Sequence, residues 1–515
     1  MDGAVETWHF ALADEAATRA LARRVADLAR VGDFVELAGP LGVGKTAFAR
    51  ELVRALAGDD DLEVPSPTFT LMQDYEGLAF PVLHADFYRI RDAAEVAELG
   101  FAEAADGALA IVEWADRGPR PADRLEIAFG FAGPVDGGAR TASLRGHGDF
   151  APRLAMARDV ETLVERSGWA EATREPIAGD ASSRAYWRLR AADGRTAVLM
   201  VAPARGGEAI VRFGRSYSQI ARLAQDVRAF VAVDGGLRER GFSAPEVHAA
   251  DLAGGVAIIE DLGGEFVAQA GAPVPARYAE AVNALARLHG MPLPGDLPLP
   301  DGTRHPIPPY DLDAMLVEVE LALEWYAPHV AGARLSSGAK AVFLNLWRYA
   351  LSPALDGEKS WTMRDWHSPN LMWLPAREGY RRIGIIDFQD CVIGPTAYDL
   401  ASLLQDARVD VPDALELKLL SLYSLLRAAG RPDFDRAAFA QAYSLMAAQR
   451  ATKLLGIFTR LDRRDGKPQY REMLPRVRRY LGKSLAHPAL KQVADWYATH
   501  LPDAVEPPAS RELER

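Results

Sequence analysis

Short apolar runs bounded by turn residues dominate the first third of the chain, and helical spacing dominates its last half. FVELAG, beginning at Phe34, reads as a buried strand that runs into a glycine-rich loop. TAFARELVRALAG then reads as a helix with Gly58 as its C-cap. FPVLHADFY (80–88) and ALAIVEW (108–114) read as further strands. RLEIAF and RTASLRG follow with strand-like patterns across the turn-rich GPVDGG, and the strands stop near residue 146. HGDFAPR (147–153) predicts a linker, after which LAMARDVETLVERSGW opens a second pattern. RAYWRLRAADGRTAVLMVA (184–202) predicts a hairpin turning at Asp193-Gly194, and GVAIIEDL (255–262) another strand. After Pro275 the pattern is mainly helical, interrupted by a strand pair around 371–373 and 382–387. The end, PDAVEPPASRELER, predicts a disordered tail. No internal repeat is evident.

Length and composition narrow the class. At roughly 100–200 residues per domain, 515 residues predict two to four domains. Hydrophobic residues make up 49% and charged residues 25%, ordinary for a soluble globular protein. The net charge of −12, from 59 basic and 71 acidic residues, argues against stable direct nucleic-acid binding, which needs a basic surface. One cysteine, Cys391, allows no intramolecular disulfide and suits a reducing compartment. MDGAVETWHF lacks the basic and apolar regions of a signal peptide, and no apolar run approaches the ~18 residues of a membrane span. A cytoplasmic protein without membrane association is expected.

Gly39-x4-Gly44-Lys45-Thr46 has the pattern of a phosphate-binding P-loop, and the preceding strand and following helix are its required context. Glycines such as Gly39, Gly42 and Gly44 let backbone N–H groups wrap the phosphates. Lys45 reaches the β- and γ-phosphates, Thr46 ligates Mg²⁺, and the helix N-terminus adds partial positive charge. Asp86 follows an apolar strand and is placed to hold Mg²⁺ directly or through water; a strand-end cap is the plainer alternative. Glu113 ends the next strand beside Trp114, where a metal ligand competes with an ordinary salt bridge. His84 reads as a structural histidine. VPSPTFTLMQDY (64–75), HADFYRI (84–90) and VEWADR (112–117) follow the loop in order. Together these motifs resemble the TsaE family, the ATPase subunit of the bacterial machinery that makes threonylcarbamoyladenosine in tRNA. The resemblance covers nearly all of residues 5–146. It implies Mg²⁺ ligation by Thr46 and Glu113, a nucleotide-sensing loop at Thr68, Glu15 near the base, and a TsaB–TsaD-type protein complex as partner.

A second set lies far along the chain. MRDWHSPNL (363–371) contains Asp365-x4-Asn370, and Asp387-Phe388 follows. In kinase chemistry such an Asp accepts the proton of the attacking hydroxyl, while the Asn and the later Asp hold Mg²⁺ on the ATP phosphates. LMWLPAREGYRRIGIIDF supplies a hairpin that brings both carboxylates to one cleft. GDASSRAYWRL (179–189) reads as a loop over the phosphates, with Gly179, Ser182 and Ser183 as its donors. IIEDLGG (258–264) reads as a hinge, with Glu260, Asp261 and Leu262 at the adenine. These stretches and IDFQDCVIGPTAYDLASLL (386–404) resemble the aminoglycoside phosphotransferase-like family. VEVELALEWY (317–326) and QRATKLLGIFTRLDRRDGKPQY (449–470) narrow the likeness to the anomeric N-acetylmuramate/N-acetylglucosamine kinases. The resemblance implies an amino-sugar acceptor, Asp365 as base, Asn370 and Asp387 as Mg²⁺ ligands, and Asp399 bracing the loop.

One departure stands out. The strand that carries a phosphate-binding lysine in protein kinases here reads TAVLMVAP, with Met200 near that place, and no lysine occurs between Lys45 and Lys340. Either Arg184 or Arg188 substitutes, or the domain is a pseudokinase that docks or regulates. An acceptor other than an amino sugar is the remaining alternative. Arg450 and Lys453 are expected on a solvated helix face, with contact to an acceptor carboxylate as the other reading; Cys391 and His289 are expected to be packed. The whole predicts an α/β protein. An N-terminal P-loop NTPase domain (1–146) and a linker (147–158) precede a bilobal, protein-kinase-like aminoglycoside phosphotransferase-like domain (159–500) and a disordered tail (501–515).

Overall fold

The computed structural model describes residues 7–67, 69–133, 138–177 and 184–506. Thr68, Gly179, Ser182 and Ser183 lie outside the described residues. The chain divides into two compact units, Met1–Arg166 and Ser167–Arg515.

In the first unit the strands are β1 (Thr7–Leu12), β2 (Phe34–Ala38), β3 (Met72–Tyr75), β4 (Val82–Asp86), β5 (Leu109–Glu113), β6 (Arg124–Phe131) and β7 (Arg140–His147). They form one sheet in the order β1-β7-β6-β2-β5-β4-β3. The central β6, β2, β5 and β4 are parallel. β2, β4 and β5 are apolar runs buried nearly throughout, the signature of a sheet covered on both faces. Helix α1 (Glu15–Leu28) packs against α2 (Lys45–Ala57), which starts at the glycine-rich loop.

The expected linker at 147–158 is instead the start of a helix, Phe150–Arg166. Phe150 and Leu154 enter the core of the first unit, and Arg153 pairs with Asp33 at 2.7 Å. The polar turn at His147–Asp149 is only the corner between β7 and that helix. The disordered tail expected from residue 501 is corrected for 501–506, where Leu501 and Ala504 are buried and Asp503 accepts a hydrogen bond from Tyr326 through its carbonyl oxygen; 507–515 lie outside the described residues.

The second unit begins with a five-stranded antiparallel sheet. It is built from β8 (Thr173–Ile177), β9 (Ala185–Arg190), β10 (Thr196–Val201), β11 (Val247–Asp251) and β12 (Val256–Glu260), in the order β11-β12-β10-β9-β8. The remainder is mostly helical. It includes Leu312–Leu321, the 28-residue helix Arg436–Arg463, and the short antiparallel pair Leu371–Trp373 and Ile383–Ile385. Among the described residues no helix is long and apolar enough to cross a membrane.

Candidate functional sites

The glycine-rich loop of the first unit needs its glycines for space as well as for conformation. Gly39 has φ +135°, and a Cβ there would sit 2.6 Å from the carbonyl oxygen of Phe129. Gly42 and Gly44 also have positive φ, and Gly44 caps α2. Lys45, the first residue of that helix, is buried. Its Nζ donates to the carbonyls of Gly39 at 2.9 Å and Pro40 at 3.1 Å and lies 4.0 Å from the Trp114 ring centre. Burial lowers the Lys45 pKa, and the carboxylates of Glu113 and Asp86 oppose that shift.

Parallel pairing of β4 with β5 sets Asp86 opposite Glu113 at the C-terminal ends of the strands. Thr46 Oγ1 donates to Glu113 Oε2 at 2.9 Å, and His84 Nε2 lies 3.1 Å from Glu113 Oε1. His84 thus has the structural place expected of it. Asp86 accepts from the Tyr88 N–H at 2.9 Å. Burial raises the Asp86 pKa, with repulsion from Glu113 adding to it. Lys45, Thr46, Asp86 and Glu113 therefore converge. Glu15 is exposed in the first turn of α1, the helix that Arg19 ties to Glu51 of α2 at 2.9 Å.

In the second unit Asp365, Asn370 and Asp387 converge as the spacing predicts. Asn370 Nδ2 donates to the Asp365 carbonyl at 3.1 Å and to Asp387 Oδ2 at 3.3 Å. Gln389 Nε2 donates to Asp387 Oδ1 at 3.0 Å. The hairpin that spaces the two carboxylates pairs Leu371 with Ile385. Phe388 is buried and stacks on Phe230 with ring centres 4.9 Å apart. Asp365 and Asp387 keep 38% and 35% of their side chains exposed, so both are accessible to a ligand.

Electrostatics separate the two carboxylates. Burial works to raise both. At Asp365 the imidazole of His367, 3.6 Å away, with Lys453 and Arg450 behind, outweighs burial and holds the pKa well below the usual carboxylate range. At Asp387 burial prevails, helped by repulsion from Asp365 and Asp390 and opposed by Arg184, so the pKa is raised. Asp399 is buried beneath the loop. It accepts the N–H groups of Met363 at 2.6 Å and Arg364 at 2.8 Å, the bracing contact expected of it. Asp406, not singled out by sequence, does the same for Ser368 at 2.9 Å.

Around the place of the expected lysine the candidate residues lie in different surroundings. Met200 is 0% exposed, paired with Tyr186 and Ala257 across the sheet and part of the apolar core. Arg188 is occupied by Asp261 at 2.8 Å. Arg184, at the entry to β9, puts Nη2 2.9 Å from Asp387 Oδ1. In the expected hinge, Asp261 also accepts the Gly263 N–H at 3.1 Å, Glu260 pairs with Arg377 at 2.9 Å, and Leu262 lies against Gly384.

The solvated face expected for Arg450 and Lys453 is not what forms. Arg450 is buried, and Lys453, 12% exposed, pairs with Glu318 at 2.9 Å. The helix Arg436–Arg463 runs through the core with apolar neighbours on most sides, so charged side chains along it meet buried partners. Cys391 is buried, and burial pushes its thiol pKa up. Trp366 and Tyr326 are core residues, whereas Trp325 is half-buried against His329. Glu318 was not singled out by sequence; it lies in VEVELALEWY beside Glu320, and nothing local separates the two acids.

Comparison with known proteins agrees with the division. A family model described as "Threonylcarbamoyl adenosine biosynthesis protein TsaE" matches residues 12–133, and one described as "Phosphotransferase enzyme family" matches residues 173–440. The N-acetylmuramate/N-acetylglucosamine kinase of Caulobacter vibrioides is 36% identical over 352 residues, which span 66% of this chain and 95% of that protein. The tRNA threonylcarbamoyladenosine biosynthesis protein TsaE of Rickettsia conorii is 40% identical over 105 residues, 20% of this chain and 59% of that protein. Its counterpart from Rickettsia typhi is 40% identical over 105 residues, 72% of that protein.

Proposed function

We propose, on the premise that this chain belongs to the phosphotransferase enzyme family through its second unit and to the TsaE family through its first, that it is a cytoplasmic bifunctional enzyme with two independent ATP sites. The second unit transfers the γ-phosphoryl group of ATP to the anomeric hydroxyl of N-acetylmuramate or N-acetylglucosamine. The first hydrolyses ATP in the machinery that makes threonylcarbamoyladenosine in tRNA, with a TsaB–TsaD-type complex as its protein partner.

The observation that carries the kinase reading is the convergence of Asp365, Asn370 and Asp387 with Arg184 2.9 Å from Asp387. Arg184 supplies the cationic charge that Met200 does not, so the pseudokinase alternative loses its ground. Both sites offer oxygen donors, Thr46 with Glu113 and Asn370 with Asp387, which suits a hard cation such as Mg²⁺. When bound, that cation would neutralise phosphate charge.

Asp365 receives the acceptor's hydroxyl proton as the sugar oxygen bonds to the γ-phosphorus and the bond to the β–γ bridging oxygen breaks, releasing ADP. A carboxylate held this far below its usual range stays ionised and takes up the proton late. That suffices for a loose phosphoryl-transfer transition state, so the main work of Asp365 is to orient the hydroxyl. Arg184 holds negative charge at the phosphates, and Asp399 and Asp406 fix the loop backbone. In the first unit Lys45 and the loop N–H groups hold phosphates, while His84 orients Glu113.

The test is a screen of ATP-dependent phosphorylation across amino sugars, choline and aminoglycosides with the purified chain. Phosphorus NMR would locate the new bond. Transfer to N-acetylmuramate and N-acetylglucosamine at C1 is expected; transfer only to another class would replace the acceptor, and none at all would sink the kinase reading.

A further inference from the structure

Beneath the loop carrying Asp365 lies a buried charged cluster that the steps above do not use. Glu318, on the helix Leu312–Leu321, is 0% exposed and has four partners. The Arg364 guanidinium pairs with Oε1, and Lys453 Nζ reaches the same oxygen at 2.9 Å. Tyr310 Oη and Gln449 Nε2 donate to Oε2, the latter at 3.0 Å. An uncompensated buried carboxylate would be costly. Here burial favours the neutral acid, but Lys453 and Arg364 outweigh it and the Glu318 pKa is lowered.

The cluster is built for close approach. A Cβ on Gly456 would fall 2.4 Å from Cβ and the carbonyl carbon of Leu321, so the two helices touch backbone to backbone. That contact is what lets Gln449 and Lys453, on the turns before Gly456, reach Glu318. Directly after Leu321 the helix widens into a π turn at Ala322–Tyr326, a feature that recurs at functional sites.

Arg364 links this cluster to the chemistry. It precedes Asp365 and has φ +68°, a left-handed conformation that is strained for a residue with a Cβ. Its backbone N–H is held by Asp399 at 2.8 Å, and its carbonyl accepts from Ser402 Oγ at 3.3 Å. Its side chain donates to the Ala221 carbonyl at 2.8 Å and lies over the Tyr310 ring. The strained residue is therefore pinned from both ends, and Glu318 is its charged anchor.

We propose that Glu318 is a positioning residue for phosphoryl transfer: by anchoring the Arg364 side chain it keeps the left-handed turn that aims Asp365 at the acceptor hydroxyl. This rests on the kinase reading above. Glycine adopts positive φ freely, so Arg364→Gly still permits the turn but nothing any longer enforces it, while Arg364→Lys keeps the charge.

The experiment uses the full chain with Glu318→Gln, Arg364→Gly, Arg364→Lys and the Glu318→Gln/Arg364→Gly pair. A small misplacement of a catalytic group costs about 10²-fold, so kcat should fall about 10²-fold in Arg364→Gly and Glu318→Gln while KM for ATP stays within about threefold. Arg364→Lys should recover about tenfold of that loss, and the pair should lose little more than either single change. Amide hydrogen exchange at Asp365–His367 should quicken in Glu318→Gln and in Arg364→Gly and be restored by Arg364→Lys. An Arg364→Gly protein with unaltered kcat, or losses that simply add, would overturn the proposal. If Glu318→Gln does not fold, the two Arg364 variants decide it. If the unaltered protein phosphorylates no acceptor, the kinase reading falls, and unchanged exchange at the loop would still overturn the anchor by itself.

Discussion

In the first unit, Asp86 and Glu113 come from the adjacent parallel strands β4 and β5, and Lys45 and Thr46 from the helix that follows their neighbour β2. In the second, Arg184, Asp365, Asn370 and Asp387 come from the entry to an antiparallel sheet, a loop and the far end of a short hairpin. The first site therefore takes its geometry from sheet register. Once β4 and β5 pair, Asp86 and Glu113 must face each other at the strand ends. The second has no such shared lattice, and its loop is held by buried acids: Glu318 on the helix Leu312–Leu321, Asp399 on the helix Ala397–Leu404, and Asp406 just past the end of the latter. Parallel sheets position by backbone; the kinase-like site positions by polar anchors, each of which has to be satisfied in a dry interior.

The largest expected effect tests whether the two sites are separate. Asp365→Asn should lower sugar phosphorylation by about 10²–10⁴-fold, the usual worth of a positioned general base, and leave ATP hydrolysis by the first unit unchanged. Parallel assays of ADP release and sugar phosphate on one preparation would show it. Loss of both activities together would merge the two sites into one.

The reciprocal change is Lys45→Ala. Removing one charge-stabilising donor costs about 10²–10³-fold, so ATP hydrolysis by the first unit and support of threonylcarbamoyladenosine formation should fall by that much. Sugar phosphorylation should hold. Normal tRNA modification in a strain carrying only this variant would remove the first unit from that machinery.

Arg184 sharpens the contrast within the second site. A hydrogen bond to a charged group is worth about 1.5–3 kcal/mol, so Arg184→Met should cut kcat/KM for ATP about 10- to 100-fold. Arg188→Met, which breaks the contact with Asp261, should stay within about threefold of the unaltered protein, because that ion pair is made apart from Asp387. Steady-state kinetics with ATP varied separates them, and equal losses would mean that proximity to Asp387 is not what matters.

The two plans also explain what the sequence disclosed. The P-loop is contiguous, and the strand ends at Asp86 and Glu113 are marked by their apolar runs, so local pattern located that site. Asp365, Asn370 and Asp387 carry a fixed spacing and were equally legible. Arg184 was one of two candidates, since nothing local distinguishes it from Arg188; only its contact with Asp387 does. Lys453 was misplaced because helical periodicity cannot tell a solvent face from one turned against a buried acid. Glu318 fell within VEVELALEWY without being set apart from Glu320, because its partners lie 46 and 131 positions away at Arg364 and Gln449. The linker was misjudged for a related reason: His147-Gly148-Asp149 looks like a domain break, but Phe150 and Leu154 return the chain to the core it has just left.

The smallest expected effect tests the packed frame around the second site rather than the site itself. His289 is 6% exposed, with Nδ1 2.7 Å from Tyr423 Oη. Burial first, then the charge of Arg427, lowers its pKa from 6.5 to about 3. Below pH 6.5 the unfolded chain binds a proton here that the folded chain refuses until about pH 3. Stability from this group is therefore complete above pH 6.5 and declines as pH falls through that window. At pH 5 the loss is about 2 kcal/mol, taking roughly 1.4 kcal/mol per pH unit. Glutamine cannot titrate, so the stability of the unaltered protein relative to His289→Gln should drop by about that amount between pH 7 and pH 5. Urea midpoints read by hydrogen exchange in Asp413–Gly430, the helix that carries Tyr423, confine the measurement to this unit. A difference that does not move with pH would mean that His289 gains a proton inside the fold, and that the contact with Tyr423 tolerates it.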